Sequence, residues 1–215
     1  DHDPILEGSS PLLIYSSLTL IQDMDFQFNG HLRFKSNNGG QEVTTGGQIL
    51  ASTIYFDGSG GGWTLQDGFE TSSNIYLKKG TLNTGNQTMT CSRFESDGGE
   101  IRSLVLGSSE VNISGGSGSS YYSWDLSSNN MVFDAGTSTI NFTTTGYVKF
   151  YGGSLNYYDV NFNNGSYSTI YYNNSFNDVL FAGSSGNVSG ESTFSEARFL
   201  CDASLTYSNT FEDLI

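Results

Sequence analysis

Four acidic residues recur at nearly constant spacing in the last third of the chain. Asp159, Asp178, Glu196 and Asp213 follow one another at almost equal intervals, each slightly shorter than the one before. On stacked coils they would form one row, and neighbouring carboxylates about 4.8 Å apart repel each other. A bound Ca²⁺, which takes several oxygen ligands, would relieve that repulsion. We favour carboxylates that point into solvent without any cofactor, and a calcium site on these four residues is the alternative.

Carboxylate pairs are also the catalytic groups of glycoside hydrolases. A polysaccharide lyase would need clustered acids for Ca²⁺ and a basic residue nearby, and Arg198 is the basic residue closest to the row. A general acid and a general base need two different environments, whereas a row of equivalent positions offers only one. The sequence therefore favours a non-enzymatic protein, and a carbohydrate-active enzyme is the alternative.

Neighbouring tyrosines are the candidates for binding glycans, because a tyrosine ring combines an apolar face with a polar tip. Successive side chains of a strand point to opposite faces, so one member of each tandem pair must face outward. The alternative is that these rings cover the outside of the fold as ordinary strand residues. The candidate glycan-binding residues are Tyr121, Tyr122, Tyr158, Tyr171 and Tyr172.

The charge balance excludes several classes of partner. The chain carries 22 acidic against 8 basic side chains, a net charge of −14. Such a chain repels phosphate, so we expect no nucleic-acid partner and no binding to anionic membrane surfaces. No apolar run is long enough for a transmembrane helix, so no membrane insertion is expected. His2 and His31 stand alone in sequence, which argues against a zinc site.

The acidic row belongs to a repeated pattern of aromatic, polar, acidic, small apolar and variable residues that ends in Phe. A period of about 17–19 residues suits one coil of a solenoid, which buries its inner side chains only by stacking on the next coil. We predict an all-β fold, a right-handed parallel β-helix (β-solenoid) with coils of about 17–22 residues and Gly/Ser-rich loop insertions. An antiparallel sandwich, in which short strands also recur, is the alternative. The pattern predicts an aromatic and an aliphatic interior ladder, formed by Tyr157, Phe176, Phe194 and Phe211 and by Val160, Val179, Ala197 and Leu214.

The whole chain, residues 1–215, is predicted to be a single β-solenoid segment. Its coils are irregular over residues 1–74, and the sequence repeats are clearer over residues 75–215. Within the clearer part, two copies of a strand–turn–strand unit start at Ser103 and at Asn130, with two extra residues in the second copy.

Three glycine-rich stretches interrupt the strand patterns, and we interpret them as long turns that protrude from the coils. They cover residues 37–47, 58–62 and 115–120. The last copy of the repeat stops at Ile215, before its final Phe. We therefore expect this chain to be a piece of a longer polypeptide.

The two cysteines are too far apart in the repeat to form a disulfide. Cys91 and Cys201 are separated by about five or six coils of the repeat. At about 4.8 Å per coil this is roughly 25 Å, whereas a disulfide needs Cα atoms within about 7 Å. We predict two free, mostly buried thiols that pack as small apolar side chains.

Several segments resemble the β-helical repeat regions of large surface and secreted proteins of Bacteroidota-type bacteria. They are residues 80–94, the block that starts at Arg102, the block that starts at Asp134, Trp124 and the Phe-x-[Asp/Glu] repeats, and together they span roughly residues 75–215. The resemblance implies export, often by the type IX route, and an extracellular or cell-surface stalk or adhesin-like role. It implies adjacent domains of the same polypeptide, export machinery or surface glycans as partners, and no common catalytic residues. The C-terminal sorting domain usual in that family is not visible here.

Overall fold

The computed structural model describes residues 3–116, 122–126 and 129–215, and in these residues it contains strands and no helix. It follows that none of the described residues belongs to a helix that could cross a membrane. The strands are β1 (Ile5–Gly8), β2 (Leu12–Ile14), β3 (Leu18–Thr19), β4 (Asp25–Phe28), β5 (Leu32–Phe34), β6 (Gln41–Thr44), β7 (Ile49–Leu50), β8 (Ile54–Leu65), β9 (Phe69–Thr71), β10 (Asn74–Asn83), β11 (Met89–Cys91), β12 (Arg93–Glu95), β13 (Arg102–Val105), β14 (Glu110–Ile113), β15 (Trp124–Asp125), β16 (Met131–Asp134), β17 (Thr139–Phe142), β18 (Tyr147–Tyr151), β19 (Asn156–Phe162), β20 (Tyr167–Tyr171), β21 (Ser175–Phe181), β22 (Ser185–Ser189), β23 (Thr193–Phe199), β24 (Asp202–Thr206) and β25 (Thr210–Leu214).

Pairing between these strands is parallel throughout, so the chain winds as a β-solenoid of about 10 turns. The predicted all-β parallel solenoid is confirmed, and the antiparallel sandwich is excluded. One inward column marks every level of the stack: Leu12, Leu32, Ile54, Ile75, Phe94, Trp124, Phe150, Ile170, Val188 and Leu205. Most successive members are separated by one coil of roughly 20 residues. The steps before and after Trp124 are longer, and those two steps contain insertions.

The early coils have three faces and the later coils have two. Strands β8 and β10 are long and bend, so that β5 and β6 both pair with β8, and β12 and β13 both pair with β10. Each of the last four coils has only two strands. Its second strand (β19, β21, β23 or β25) has seven or five residues and takes the place of the second and third strands of an earlier coil. Tyr157 and Val160 in β19 are both buried while Tyr158 and Asp159 between them face outward, so the strand turns a corner at that point.

Stacked aromatic rings form the core of the later coils. Phe194 packs face to face between Phe176 and Phe211, with ring centroids 5.2 and 4.9 Å away. Tyr157 is the first member of the same ladder and lies 5.6 Å from Phe176. The predicted aromatic ladder is therefore confirmed, and the aliphatic ladder follows it in register. A second Phe ladder consists of Phe142, Phe162, Phe181 and Phe199, and its last three members are the final Phe residues of the repeated pattern.

Buried polar side chains fix the corners between strands. Asn174 is buried, its Oδ1 accepts hydrogen bonds from the Ser154 and Leu155 amides, and its Nδ2 donates to the Tyr171 carbonyl at 2.8 Å. Asn209 repeats the arrangement two coils later, where its Oδ1 accepts from the Ser192 amide at 2.9 Å. These amides satisfy backbone groups that the turn leaves without strand partners.

The glycine-rich stretch at residues 58–62 is not a protruding turn, contrary to our prediction. It lies inside β8, at the bend where the backbone passes close to the preceding coil. A Cβ atom at Gly58 would lie 1.8 Å from the Ser36 carbonyl oxygen, and one at Gly61 would lie 2.2 Å from the same atom. Glycine occurs here because two backbones approach closely. The stretch at residues 37–47 contains β6, and most of the stretch at 115–120 lies outside the described residues.

The alignment of the two upstream copies also needs correction. Arg102 pairs with Met131 and Val111 pairs with Ile140, so one constant offset relates the copies from the first strand to the second. The two extra residues that we placed in the second copy do not exist, because our alignment of the first strands was displaced by two positions.

Both cysteines are free, as predicted, but they differ in burial. Cys91 is fully buried, and Cys201 is partly exposed beside Asp202. Burial raises the pKa of both thiols, and the effect is largest for Cys91. Because the thiolate is the reactive form, both should react slowly in the folded protein.

We expect a thiol reagent at neutral pH to modify one cysteine of the folded protein, Cys201, and both cysteines in denaturant. Peptide mapping of the labelled protein identifies the site, and a Cys201→Ser variant serves as the control that should take up no label when folded. Rapid labelling of Cys91 without denaturant would contradict the buried position of β11.

Candidate functional site

The acidic row that the sequence predicts forms in register on the outside of the later coils. Asp159 pairs with Asp178, Asp178 with Glu196, and Glu196 with Asp213 in the parallel ladder of β19, β21, β23 and β25. A shallow groove of about 120 Å³ runs along three of these carboxylates and also touches Arg198. The repeat thus places the acids and the predicted basic residue on one surface.

Each end of the groove is occupied by a polar contact within the protein. Asp159 accepts a hydrogen bond of 3.0 Å from the Asn177 amide, and the Arg198 guanidinium donates to Glu196 at 2.6 Å. Asp178 lies between them. Burial raises the pKa of the Asp178 carboxyl above its usual range, and the negative charges of Asp159 and Glu196 raise it further.

Metal coordination needs several ligands that converge on one point. Over the residues that the structure describes, no three His, Cys, Asp or Glu side chains converge in that way. Parallel stacking explains this, because it spaces equivalent side chains along the axis by about 4.8 Å instead of directing them to a common centre. The row remains a candidate for bridging cations along the surface, at Asp159, Asp178, Glu196 and Asp213.

The repulsion at Asp178 predicts how stability depends on pH. A carboxyl group with a raised pKa in the folded state binds its proton more readily there than in the unfolded chain, so its contribution to stability falls as pH rises. We expect Asp178→Asn to stabilise the protein at pH 7 by roughly 0.2–1 kcal/mol. We also expect it to reduce the gain in stability that the unsubstituted protein shows on acidification toward about pH 4.

Denaturant unfolding at pH 7 and near pH 4.5, with calcium and with a chelator, tests this prediction. Glu212→Gln is the matched control, because Glu212 is exposed and lies beside the row but not in it. A stabilisation by Asp178→Asn that disappears or reverses only when calcium is present would support a metal bridge. A loss of stability in every condition would contradict the repulsive row.

Next to the acidic row, an asparagine ladder lies on the same outer face. The Asn141 amide donates to the Asn112 side-chain oxygen at 3.2 Å and to Glu110 at 3.1 Å, and the Asn161 amide donates to Asn141 at 3.0 Å. Sequence reasoning missed this ladder, although its three asparagines recur at intervals that match the coil spacing there. The ladder ties three coils together through side-chain amides, and the Glu110 carboxylate accepts one of their hydrogen bonds.

The structure brings three of the five candidate glycan-binding tyrosines together. Tyr122, Tyr171 and Tyr172 surround Tyr151, with ring centroids 3.9, 4.7 and 4.8 Å from that of Tyr151. Sequence reasoning missed Tyr151, the central ring, although it precedes Tyr171 by one coil and pairs with it in register. We call these four residues the tyrosine cluster.

Of the two remaining candidates, Tyr158 does not join the tyrosine cluster. Tyr158 stands on β19 beside the acidic row, and 37% of its surface is exposed. Tyr121 lies outside the described residues. The predicted set of tyrosines therefore does not form one surface.

Within the tyrosine cluster, the rings pack mainly against one another. A hydrogen bond with Tyr122, followed by burial, raises the pKa of Tyr151. Lys149 lies 6.0 Å from the Tyr122 ring centre. Contacts between rings occupy much of the aromatic area that a sugar ring would need.

An earlier aromatic pair on the same face has cations on both sides. Tyr55 and Tyr76 stack at 4.9 Å, with the Arg33 guanidinium 4.2 Å above Tyr55 and the Lys78 ammonium 4.8 Å from Tyr76. Lys78 also forms ion pairs with Glu95 and Asp97. The charged side chains on this part of the surface thus contact neighbouring coils.

One arginine is buried within the solenoid. The Arg102 side chain is fully buried, and its Nη2 donates to the Asn129 carbonyl of the next coil at 2.9 Å. Burial lowers its pKa, and the charges of Asp97 and Asp125 oppose that effect. Arg102 therefore holds the backbone at Asn129, within the longer step between Trp124 and Phe150.

We compared the chain with protein-family models, with curated proteins and with solved structures, and no match was found in any of the three comparisons.

Proposed function

We propose that this chain is a non-enzymatic β-solenoid stalk or adhesin module of a large, exported surface protein of a Bacteroidota-type bacterium. The observation that carries the proposal is the continuous parallel register through about 10 turns. Such a stack forms a rod whose length grows with the number of coils, at about 4.8 Å per coil. This chain would contribute roughly 48 Å to an extracellular spacer. The type IX route is the proposed route of export.

The outer surface supports a structural role because its polar groups serve the stack. Lys35 pairs with Asp57 at 2.8 Å and Lys78 with Asp97 at 2.7 Å, each across neighbouring coils. The asparagine ladder and the tyrosine cluster also connect adjacent coils. Surface side chains therefore reinforce the axial contacts, as a spacer under load requires.

Adjacent domains of the same polypeptide are the proposed main partner. Strands β24 and β25 pair on one edge only, and Leu205 and Leu214 expose 43% and 56% of their surfaces. An open parallel edge with apolar side chains beside it is suited to pairing with a further coil. Surface glycans and the export machinery are additional proposed partners.

The second candidate function is a carbohydrate-active enzyme, and the groove along the acidic row favours it. Three carboxylates and Arg198 line this groove. Against this function, the groove measures about 120 Å³, whereas small-molecule sites usually span about 300–1,000 Å³. The Arg198 guanidinium also donates a hydrogen bond to Glu196, and a guanidinium group has donors but no acceptor, so it is a poor general base.

Product assays separate the two functions. The purified chain is incubated with neutral and acidic polysaccharides, and new reducing ends and unsaturated sugars are measured. We expect no products from any substrate. The enzyme function would be supported, and the stalk function contradicted, if the chain turns over a polysaccharide. In that case Asp178→Asn or Arg198→Ala should abolish the turnover, and Glu212→Gln should retain it.

Two measurements test the proposed stalk and its location. Small-angle X-ray scattering of the purified chain should give an elongated particle whose long axis matches the stack of coils. Antibodies against the chain should label intact cells of the source bacterium, and external protease should remove the label. Label that appears only after cell lysis would contradict the surface location.

A further inference from the structure

We propose that Tyr122 and Tyr151 form an oxidative cross-linking site, at which a dityrosine bond joins two neighbouring coils. Their ring centroids are 3.9 Å apart with an interplanar angle of 35°, the shortest separation among the aromatic pairs of the described residues.

The fold holds this pair in place from both sides. β15 and β18 are adjacent parallel strands, in which Trp124 pairs with Phe150 and Asp125 with Tyr151. Trp124 and Phe150 point inward and are fully buried, so the two strands cannot slide relative to each other without opening the core.

The reaction needs an external one-electron oxidant, and a haem peroxidase with hydrogen peroxide supplies it. Each phenol loses one electron and one proton and becomes a phenoxyl radical. The radicals couple through one ortho carbon of each ring, and each ring regains its aromaticity by moving the hydrogen of that carbon to its oxygen. Two hydrogen atoms leave the protein, and one hydrogen peroxide is reduced to two water molecules.

The bond would connect successive levels of the stack, where the inward column makes its longer step from Trp124 to Phe150. A covalent link that closes this loop restricts the unfolded chain and therefore raises stability. It would fix the longer step between Trp124 and Phe150, which follows the two-residue strand β15.

A comparison pair within the same chain makes the proposal selective. Tyr55 and Tyr76 also stack closely, at 4.9 Å, but Arg33 and Lys78 lie 4.2 and 4.8 Å from their ring centres. The cation near the proposed pair, Lys149, is farther away, at 6.0 Å from the Tyr122 ring centre. A cation near an aromatic ring stabilises its electron density and disfavours the loss of an electron. We therefore expect this pair to react more slowly than Tyr122 and Tyr151.

The test treats dilute folded protein with a haem peroxidase and hydrogen peroxide and measures dityrosine fluorescence. We expect a monomeric product that has lost two hydrogen atoms, a cross-linked peptide containing positions 122 and 151, and an increase of several degrees in melting temperature. Tyr151→Phe and Tyr122→Phe should each reduce the initial rate of intramolecular cross-linking at least tenfold. Tyr15→Phe, at an exposed tyrosine far from the site, should leave this rate unchanged.

Three outcomes would overturn the proposal. The first is cross-linking that yields only dimers and whose fraction rises with protein concentration. The second is a dominant intramolecular link between Tyr55 and Tyr76 or between Tyr151 and Tyr171. The third is an unchanged rate in both Phe variants when circular dichroism and melting show that they are folded.

Discussion

Replacing Phe194 with alanine should lower the free energy of unfolding by about 3–5 kcal/mol. Phe194 is 2% exposed and stacks on Phe176 above and Phe211 below. The substitution removes ring contacts to two coils at once and leaves a cavity that the strands on either side cannot close. Denaturant unfolding followed by circular dichroism measures the loss.

Phe211→Ala is the matched control for this ladder. Phe211 belongs to the same column but is only half-buried and has one ring neighbour in the column, Phe194. Its loss should be well below that of Phe194→Ala. Equal losses for the two variants, or no loss for Phe194→Ala, would contradict the stacking order of β21, β23 and β25.

Gly136→Ala should destabilise the protein by roughly 2–5 kcal/mol, since a left-handed backbone costs about 1–2 kcal/mol and overpacking about 1–3 kcal/mol. Gly136 has φ +55°, and a Cβ atom there would lie 2.2 Å from the Gly107 carbonyl oxygen. That oxygen accepts the Thr137 amide at 2.7 Å, so it cannot move without breaking a bond between coils. Thermal and denaturant unfolding of the variant measure the effect.

Gly39→Ala controls for the substitution itself. A Cβ atom at Gly39 would have no neighbour within 4 Å, and its φ is not in the left-handed region. This variant should be as stable as the parent or slightly more stable, because alanine reduces the freedom of the unfolded chain. A neutral Gly136→Ala would show that the corner at this level is looser than the structure indicates.

The later coils could be predicted in detail because their repeats have no insertions. The steps between Asp159, Asp178, Glu196 and Asp213 equal the coil lengths, so matching residue types directly gave the register of β19 to β25. Identical side chains at identical positions are visible in a single sequence. The sequence alone therefore predicts the register of the acidic row and of the aromatic ladder correctly.

The predicted register of the first strands of the two upstream copies was wrong by two positions, because side chains in a strand alternate with a period of two. A displacement of two positions still aligns inward residues with inward residues, so the hydrophobic pattern fits the displaced alignment as well as the correct one. Only pairing across strands, such as Ser103 with Val132, shows the displacement. Within an alternating strand, hydrophobic pattern alone fixes the face of a residue and leaves its partner ambiguous.

The first coils and the tyrosine cluster were harder to predict for another reason. The inward positions at Leu32, Ile54 and Phe94 are all apolar but differ in residue type, so a search for matching letters does not find them. Tyr151 was missed because it has no tandem tyrosine neighbour, and adjacency in sequence was the criterion for candidates. Its partners lie in other coils and become neighbours only by stacking.

The stacking of coils also determines how this protein would behave under tension. One coil of about 20 residues adds about 4.8 Å to the folded rod but, at about 3.3 Å per residue, about 66 Å when it is pulled out straight. Each coil is attached only to its neighbours, so an axial load detaches coils one after another from an end. The stack of coils thus holds a reserve of length more than ten times its own height and would dissipate mechanical work in steps as it is extended.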